Sequence, residues 1–181
     1  MFEFIFLGDS ITYGFPYAPK ESWANLAAEK LGVNFKNLGV CGDTLEDMKI
    51  RFKREKEVGN TLILLGGTND VYANRSFQEI VQDTIDIVNL AKERGFQKII
   101  LGTPLPVLEE KWADERLCLL GKKYEELAKK LQINYLNFYE SFKAQLKDDP
   151  GLVIDGIHPS KDGYRLMSEI FLKSLGIEND F

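Results

Sequence analysis

Three side chains of this sequence are suited to acyl transfer: the Ser10 hydroxyl, the His158 imidazole and the Asp155 carboxyl. A serine hydroxyl attacks an ester carbonyl at neutral pH only when a neighbouring base takes its proton. His158 is the single histidine of the chain and the side chain whose ordinary titration suits that task. Asp155 stands three residues before it, in the loop DGIHPS, where Pro159 and Ser160 mark a helix start. A carboxylate so placed can hold one ring nitrogen and leave the other free, the orienting half of a Ser-His-Asp arrangement. A tetrahedral oxyanion would also need donors, and the candidates are the backbone N–H groups of Ser10 and Gly42 and the side-chain amide of Asn69. Singly, each residue has a plainer reading: a helix cap for Ser10, turn residues for Gly42 and Asn69, a surface or core position for His158. Their chemistry depends on a fold that gathers them.

The elements that would do so are legible as alternating periods. The short apolar runs FEFIFLG, TLILLGG, QKIILGT and INYLNF predict buried strands, and VNFKNLG, more alternating, predicts a strand nearer an edge. Between them lie helical segments. Phe77, Ile80, Val81, Thr84, Ile85 and Val88 fall on one face, with Ser76 and Glu79 as a capping box and Gly95 closing the end. Leu117, Leu120, Tyr124, Leu127 and Leu131 repeat the spacing, as do Tyr164, Met167 and Phe171. Strand and helix alternate about five times, which predicts an α/β fold: a doubly wound three-layer α/β/α sandwich around a five-stranded parallel sheet. We read residues 1–181 as one domain. Ligands bind such sheets at the carboxyl ends of the strands. The positions there are Asp9 and Ser10, then Cys41, Gly42 and Asp43, then Asn69 and Asp70, then Thr103 and Pro104, and finally LVIDGIHPS at 152–160.

Composition excludes several classes. The net charge of -5, with 28% charged residues of mixed sign, argues against a nucleic-acid partner, which needs a basic face. The basic run Lys49 to Lys56 carries Glu55 within it and reads as a solvated helix face. There is no apolar run of about 18 residues, so no membrane span is expected, and Met1, Phe2 and Glu3 do not resemble a secretory leader. Two separated cysteines, Cys41 and Cys118, suit a reducing, cytoplasmic location. One histidine and two isolated cysteines offer no metal cluster, so neither metal nor cofactor is expected.

Four blocks now carry a resemblance: GDSIT at 8–12, NLGVCGDT at 37–44, GGTND at 66–70 and DGIH at 155–158. In that order they resemble the SGNH, or GDSL, hydrolase superfamily, with Ile11 where many members have Leu. The resemblance implies a flavodoxin-like fold and a serine esterase or acylhydrolase. By it Ser10 is the nucleophile, Asp155 and His158 complete the triad, and Ser10, Gly42 and Asn69 form the oxyanion hole. Asp9 is expected to hold the turn through hydrogen bonds.

The partner would be a small-molecule acyl ester of small to medium chain length, with Tyr13, Phe15, Tyr72, Pro104 and Leu105 lining its pocket, alongside Tyr17, Pro106 and Trp112. Carbohydrate O-acetyl esterase, thioesterase and lysophospholipase are alternatives within the superfamily. Outside it stand a catalytically silent binding module, a flavin phosphate-binding turn at GDSITYG and a receiver domain using Asp9 and Asp70, and the last two leave Asp155 and His158 unexplained. Cys41 as a rival nucleophile is set against a small apolar residue packed beneath the site.

Overall fold

A computed structural model describes residues 2–177. The first strand, β1 (Phe2–Gly8), is followed by β2 (Phe35–Gly39), β3 (Gly59–Leu65), β4 (Lys98–Gly102) and β5 (Asn134–Leu136). All pair in parallel in the order β2-β1-β3-β4-β5. The chain therefore leaves β1 to one side and returns to the other, and the switch in strand order falls at the carboxyl ends of β1 and β3.

The apolar strands are continuous because each face is covered. Ile5, Leu7, Leu62, Leu64, Ile99 and Leu101 point into one layer, where they meet α3 (Leu45–Arg54), α5 (Phe77–Glu93) and α6 (Lys111–Leu131). The alternate residues Phe6, Ile63, Leu65 and Ile100 point into the other, against α2 (Trp23–Leu31), α7 (Phe138–Leu146) and α8 (Lys161–Ser174). The Trp23 ring anchors that second layer, edge-on to Phe6, Phe138 and Phe171 at 5.3, 5.1 and 5.5 Å between centroids. The result is the α/β/α sandwich expected. Edge strand β2 is half-buried along its whole length, in keeping with its alternating sequence.

Three details depart from expectation. Strand β5 stops at Leu136 because the Asn137 side chain accepts from the Glu140 N–H at 3.1 Å and caps α7, so Phe138 is helical. The buried stripe of α5 runs through Ile80, Asp83, Thr84, Ile87, Val88 and Ala91, leaving Phe77, Val81 and Ile85 at its flank. That rotation follows from Asp83, which goes inside because Lys49 and Arg75 both pair with it. The run from Lys49 to Lys56 is accordingly not a uniformly solvated face. Lys49 reaches Asp83 on α5, and Arg51 turns toward the ends of the strands. Among the described residues no helix is long and apolar enough to cross a membrane.

Candidate active site

Two short helices carry residues out of the sheet. The first, α1 (Ser10–Tyr13), begins immediately after β1, and Asp9 caps it by accepting from the Ile11 N–H at 2.9 Å. The helix packs against the carboxyl ends of β1 and β2. Side chains there would forbid it: a Cβ on Gly39 would stand 2.2 Å from the Tyr13 nitrogen, and one on Gly8 would stand 2.1 Å from Thr12 Oγ1. Ser10 is thus fixed at the switch point, 8% exposed. The second, α4 (Thr68–Tyr72), follows β3 and carries Asn69 and Asp70.

The loop after α7 brings the remaining groups to Ser10. Its Oγ lies 3.0 Å from His158 Nε2, and His158 Nδ1 lies 2.7 Å from Asp155 Oδ2. A carboxylate only accepts, so Nδ1 carries the ring proton and Nε2 offers its lone pair to the serine hydroxyl. Asp155 is itself held, because its other oxygen accepts from the N–H groups of Ile157 at 3.1 Å and His158 at 2.7 Å. Burial raises the Asp155 titration, but these bonds and the imidazole outweigh it, and the carboxyl ends below its ordinary value. The loop is closed by Ile154 N–H to His158 O at 3.0 Å and tied to the segment after β4 by Leu108 N–H to Gly156 O at 2.9 Å.

On the opposite side of Ser10, the turn after β2 is held to β1 by Val40 N–H donating to Gly8 O at 3.1 Å. Gly42 has a φ of +86° and no heavy atom within 4 Å of where a Cβ would stand, so it is backbone conformation that calls for glycine there. Asn69 Nδ2 donates one of its two hydrogens to the Asp43 carbonyl at 2.9 Å. Arg51 Nη2 donates to Gly8 O at 2.8 Å, and Arg51 Nε pairs with the Asp43 carboxylate. Asp70, fully buried, accepts from the Leu45 N–H at 3.0 Å and from Arg75 at 2.6 Å. Ser10, Gly42, Asn69, Asp155 and His158 therefore converge on one edge.

The remaining candidates divide. Phe15, 40% exposed, lies tilted against the His158 ring with centroids 4.7 Å apart. Tyr13 and Tyr72 are half-buried, and Tyr72 meets the exposed Trp112 edge-on at 5.6 Å. Pro104 and Leu105 are buried, Leu105 within the core beside α2, α7 and α8. Leu105 thus contributes to the core more than to the surface. Cys41 is exposed rather than packed beneath the site. Partial shielding from water and the nearby Asp9 charge raise its thiol titration, which disfavours the thiolate a nucleophile needs. Asp9 holds the turn as expected, and its near-complete burial pushes its titration up to about 7. Sequence reasoning missed Arg51, because a cation in a mixed-charge helix gives no sign of its partner.

Residues 6–166 match the GDSL-like lipase/acylhydrolase family. The chain belongs to that family. An acetylxylan esterase of Geobacillus stearothermophilus is 22% identical over 164 residues, covering 82% of this chain and 75% of that protein. Among solved structures, a lipolytic G-D-S-L protein of Veillonella parvula superposes with a TM-score of 0.86 at 22% identity, over 94% of this chain and 96% of the other. A putative lipolytic G-D-S-L protein of Desulfitobacterium hafniense superposes with a TM-score of 0.83 at 24% identity, over 95% and 98%. These likenesses carry the fold. Family membership makes this GDSL-like acylhydrolase a carboxylic ester hydrolase of the SGNH superfamily.

Proposed function

We propose that the protein is a serine esterase cleaving small to medium acyl esters, with Ser10 as nucleophile, His158 as general base and Asp155 as its orienting carboxylate. The observation that carries this is the continuous series of 3.0 Å from Ser10 Oγ to His158 Nε2 and 2.7 Å from His158 Nδ1 to Asp155 Oδ2. Ser10 Oγ attacks the ester carbonyl carbon while His158 Nε2 takes the hydroxyl proton. The negative charge on the carbonyl oxygen is met by the N–H groups of Ser10 and Gly42 and by the Asn69 amide. Collapse of the tetrahedral species breaks the ester C–O bond, and His158 returns its proton to the departing alkoxide. Water then attacks the acyl-serine while His158 takes its proton, the bond from acyl carbon to Ser10 Oγ breaks, and His158 returns the proton to Oγ as the carboxylic acid leaves. Phe15, in contact with His158, and Tyr13 and Tyr72 are the residues we assign to the substrate. One domain and a cytoplasmic location, in keeping with the free Cys41 and Cys118, complete this reading.

A serine-directed phosphonate, followed by intact-mass and peptide spectrometry, tests it. One adduct on Ser10 is expected, with loss of nitrophenyl acetate and butyrate hydrolysis in Ser10→Ala and no need for added metal. Labelling of Cys41, or activity surviving in Ser10→Ala, rejects the assignment.

The acetylxylan esterase relative favours a second reading of the same chemistry, deacetylation of a carbohydrate. Catalytic mutants of that enzyme change a serine, an aspartate and a histidine, the aspartate three positions before the histidine. Asp155 and His158 share that spacing. Trp112, 46% exposed and packed against Tyr72, offers aromatic surface to a sugar ring. Rates on acyl esters of increasing length, acetylated xylo-oligosaccharides and acyl-coenzyme A decide between the two.

A further inference from the structure

The oxyanion donors lie on three separate segments: Ser10 after β1, Gly42 after β2 and Asn69 in α4 after β3. Strand pairing and the bonds from Val40 N–H to Gly8 O and from Leu45 N–H to Asp70 bring these segments to one edge, and a side-chain cross-link adds to them. The Arg51 guanidinium contacts two of them directly, and Asn69 joins through Asp43. Arg51 Nη2 donates at 2.8 Å to the carbonyl of Gly8, two residues before Ser10. Arg51 Nε pairs with the carboxylate of Asp43, the residue next to Gly42. The backbone carbonyl of that same Asp43 accepts from Asn69 Nδ2 at 2.9 Å.

The helix that presents Arg51 is itself fixed. Thr44 and Asp47 form a capping box at the start of α3, and the Leu45 N–H bonds the buried Asp70 beside Asn69. Leu45, Met48 and Phe52 are its buried stripe, and Arg51, one turn after Met48, borders it. The Arg51 and Asp43 side chains are only 25% and 12% exposed, so their pairing is shielded. A guanidinium makes two directed bonds in a fixed fork, which an ammonium cannot reproduce.

We propose that Arg51 is the positioning residue of the oxyanion hole, holding the Ser10, Gly42 and Asn69 donors in register by clamping Gly8 O and Asp43. This rests on reading those three groups as the oxyanion donors. Arg51 touches no substrate. Its effect belongs to the transition state, where charge develops on the carbonyl oxygen, and so to kcat rather than KM.

The test is steady-state hydrolysis of nitrophenyl acetate by the wild type, Arg51→Ala, Arg51→Lys, Asp43→Asn, Asn69→Ala, Ser10→Ala and the Arg51→Ala/Asn69→Ala double variant, with native folding checked by near-ultraviolet circular dichroism. Arg51→Ala is expected to lower kcat by about 10- to 100-fold, the scale of a misplaced catalytic group, with KM nearly constant. Arg51→Lys should recover part of the loss. The double variant should lose clearly less than the product of the single losses, because both changes act through one hole. Binding of a boronic acid, which mimics the tetrahedral species, should weaken in step with kcat/KM, while the acid limb of the pH profile stays in place because His158 and Asp155 are untouched. A wild-type kcat in folded Arg51→Ala, a loss confined to KM, or losses that multiply would overturn the proposal. Should Arg51→Ala not fold, Asp43→Asn carries the test, since it keeps the carbonyl that Asn69 uses and removes only the charge facing Arg51. A several-fold fall in its kcat is expected, and an unchanged kcat overturns the clamp. Activity surviving in Ser10→Ala rejects the reading of the site itself, whereas its loss there beside full activity in Arg51→Ala removes Arg51 alone.

Discussion

The ring of Phe15 lies against the imidazole of His158, its plane tilted by 59°, and the Phe15 carbonyl accepts from the Tyr164 hydroxyl at 2.7 Å. The buried Tyr164 thus pins a residue whose ring remains partly exposed beside the base. An aromatic contact of this kind contributes roughly 0.5–1.5 kcal/mol beyond its buried area. Phe15→Ala should lower kcat/KM on short aryl esters by roughly 2- to 10-fold, the same energy expressed as a rate. As a wall of the pocket Phe15 should also shape the acyl-length profile. Rates on acetyl, butyryl and octanoyl esters, compared among the wild type, Phe15→Ala and Phe15→Leu, check this. Identical profiles in all three remove Phe15 from the substrate path.

Asn69 should act on the transition state. Loss of one side-chain donor to an oxyanion typically costs about 10²- to 10³-fold in turnover. Asn69→Ala also releases the Asp43 carbonyl it holds at 2.9 Å, so the fall should reach at least that range with KM little changed. Stopped-flow or steady-state rates on a nitrophenyl ester measure it. A folded variant with unaltered kcat returns Asn69 to a turn residue.

What the sequence discloses and what it hides differ by the range of the physics involved. The strands β1, β3 and β4 and the helix at Phe77–Glu93 are legible because burial writes a local period into neighbouring residues. The convergence of Ser10, Asn69, Asp155 and His158 is legible because each follows a strand or opens a helix at the ligand-binding end of the sheet. Arg51 is hidden, since its partners at Gly8 and Asp43 are 43 and 8 residues away and only the folded turn after β2 brings them together. Asp83 misleads for a related reason: a carboxylate reads as solvent-facing until its cations on other elements are known. Leu105 reads as a loop residue near the site, yet the segment after β4 dips back into the core.

The acid limb of activity should belong to His158. Asp155 is kept charged by the hydrogen bonds that hold it below its ordinary value, so it does not titrate where the imidazole does. An imidazolium cannot take the serine proton, and kcat/KM must fall as His158 becomes charged. With one histidine in the chain, an NMR titration of the free enzyme follows that event without overlap, and its midpoint should coincide with the kinetic limb when chemistry limits the rate. Asp155→Asn, which lets the ring adopt the wrong tautomer, should lower kcat by roughly 10³- to 10⁴-fold. For folding, the depressed Asp155 titration contributes stability above the ordinary carboxylate range and loses it as pH falls through the lower folded value. That contribution should be small, because the side chain is 46% exposed.

Asp9 should act in the opposite sense. Burial raises its titration to about 7, the Ile11 N–H bond opposing and the charges of Asp70 and Asp43 adding. The unfolded chain releases this proton in the ordinary carboxylate range, whereas the native state keeps it until near neutrality. The folded pKa is the higher one, so the contribution of Asp9 to stability is full at low pH and is lost as pH rises through about 7. Asp9→Asn keeps an acceptor for the Ile11 N–H and has no proton to lose. The variant should therefore gain on the wild type as pH rises, reaching on the order of a few kcal/mol at pH about 8, and the two should converge toward pH about 4. Chemical denaturation at steps across that range measures the difference. A gain equal at every pH, or a variant less stable than the wild type at the alkaline end, would show that Asp9 is ionised in the native turn and that its charge is held by partners rather than suppressed by burial.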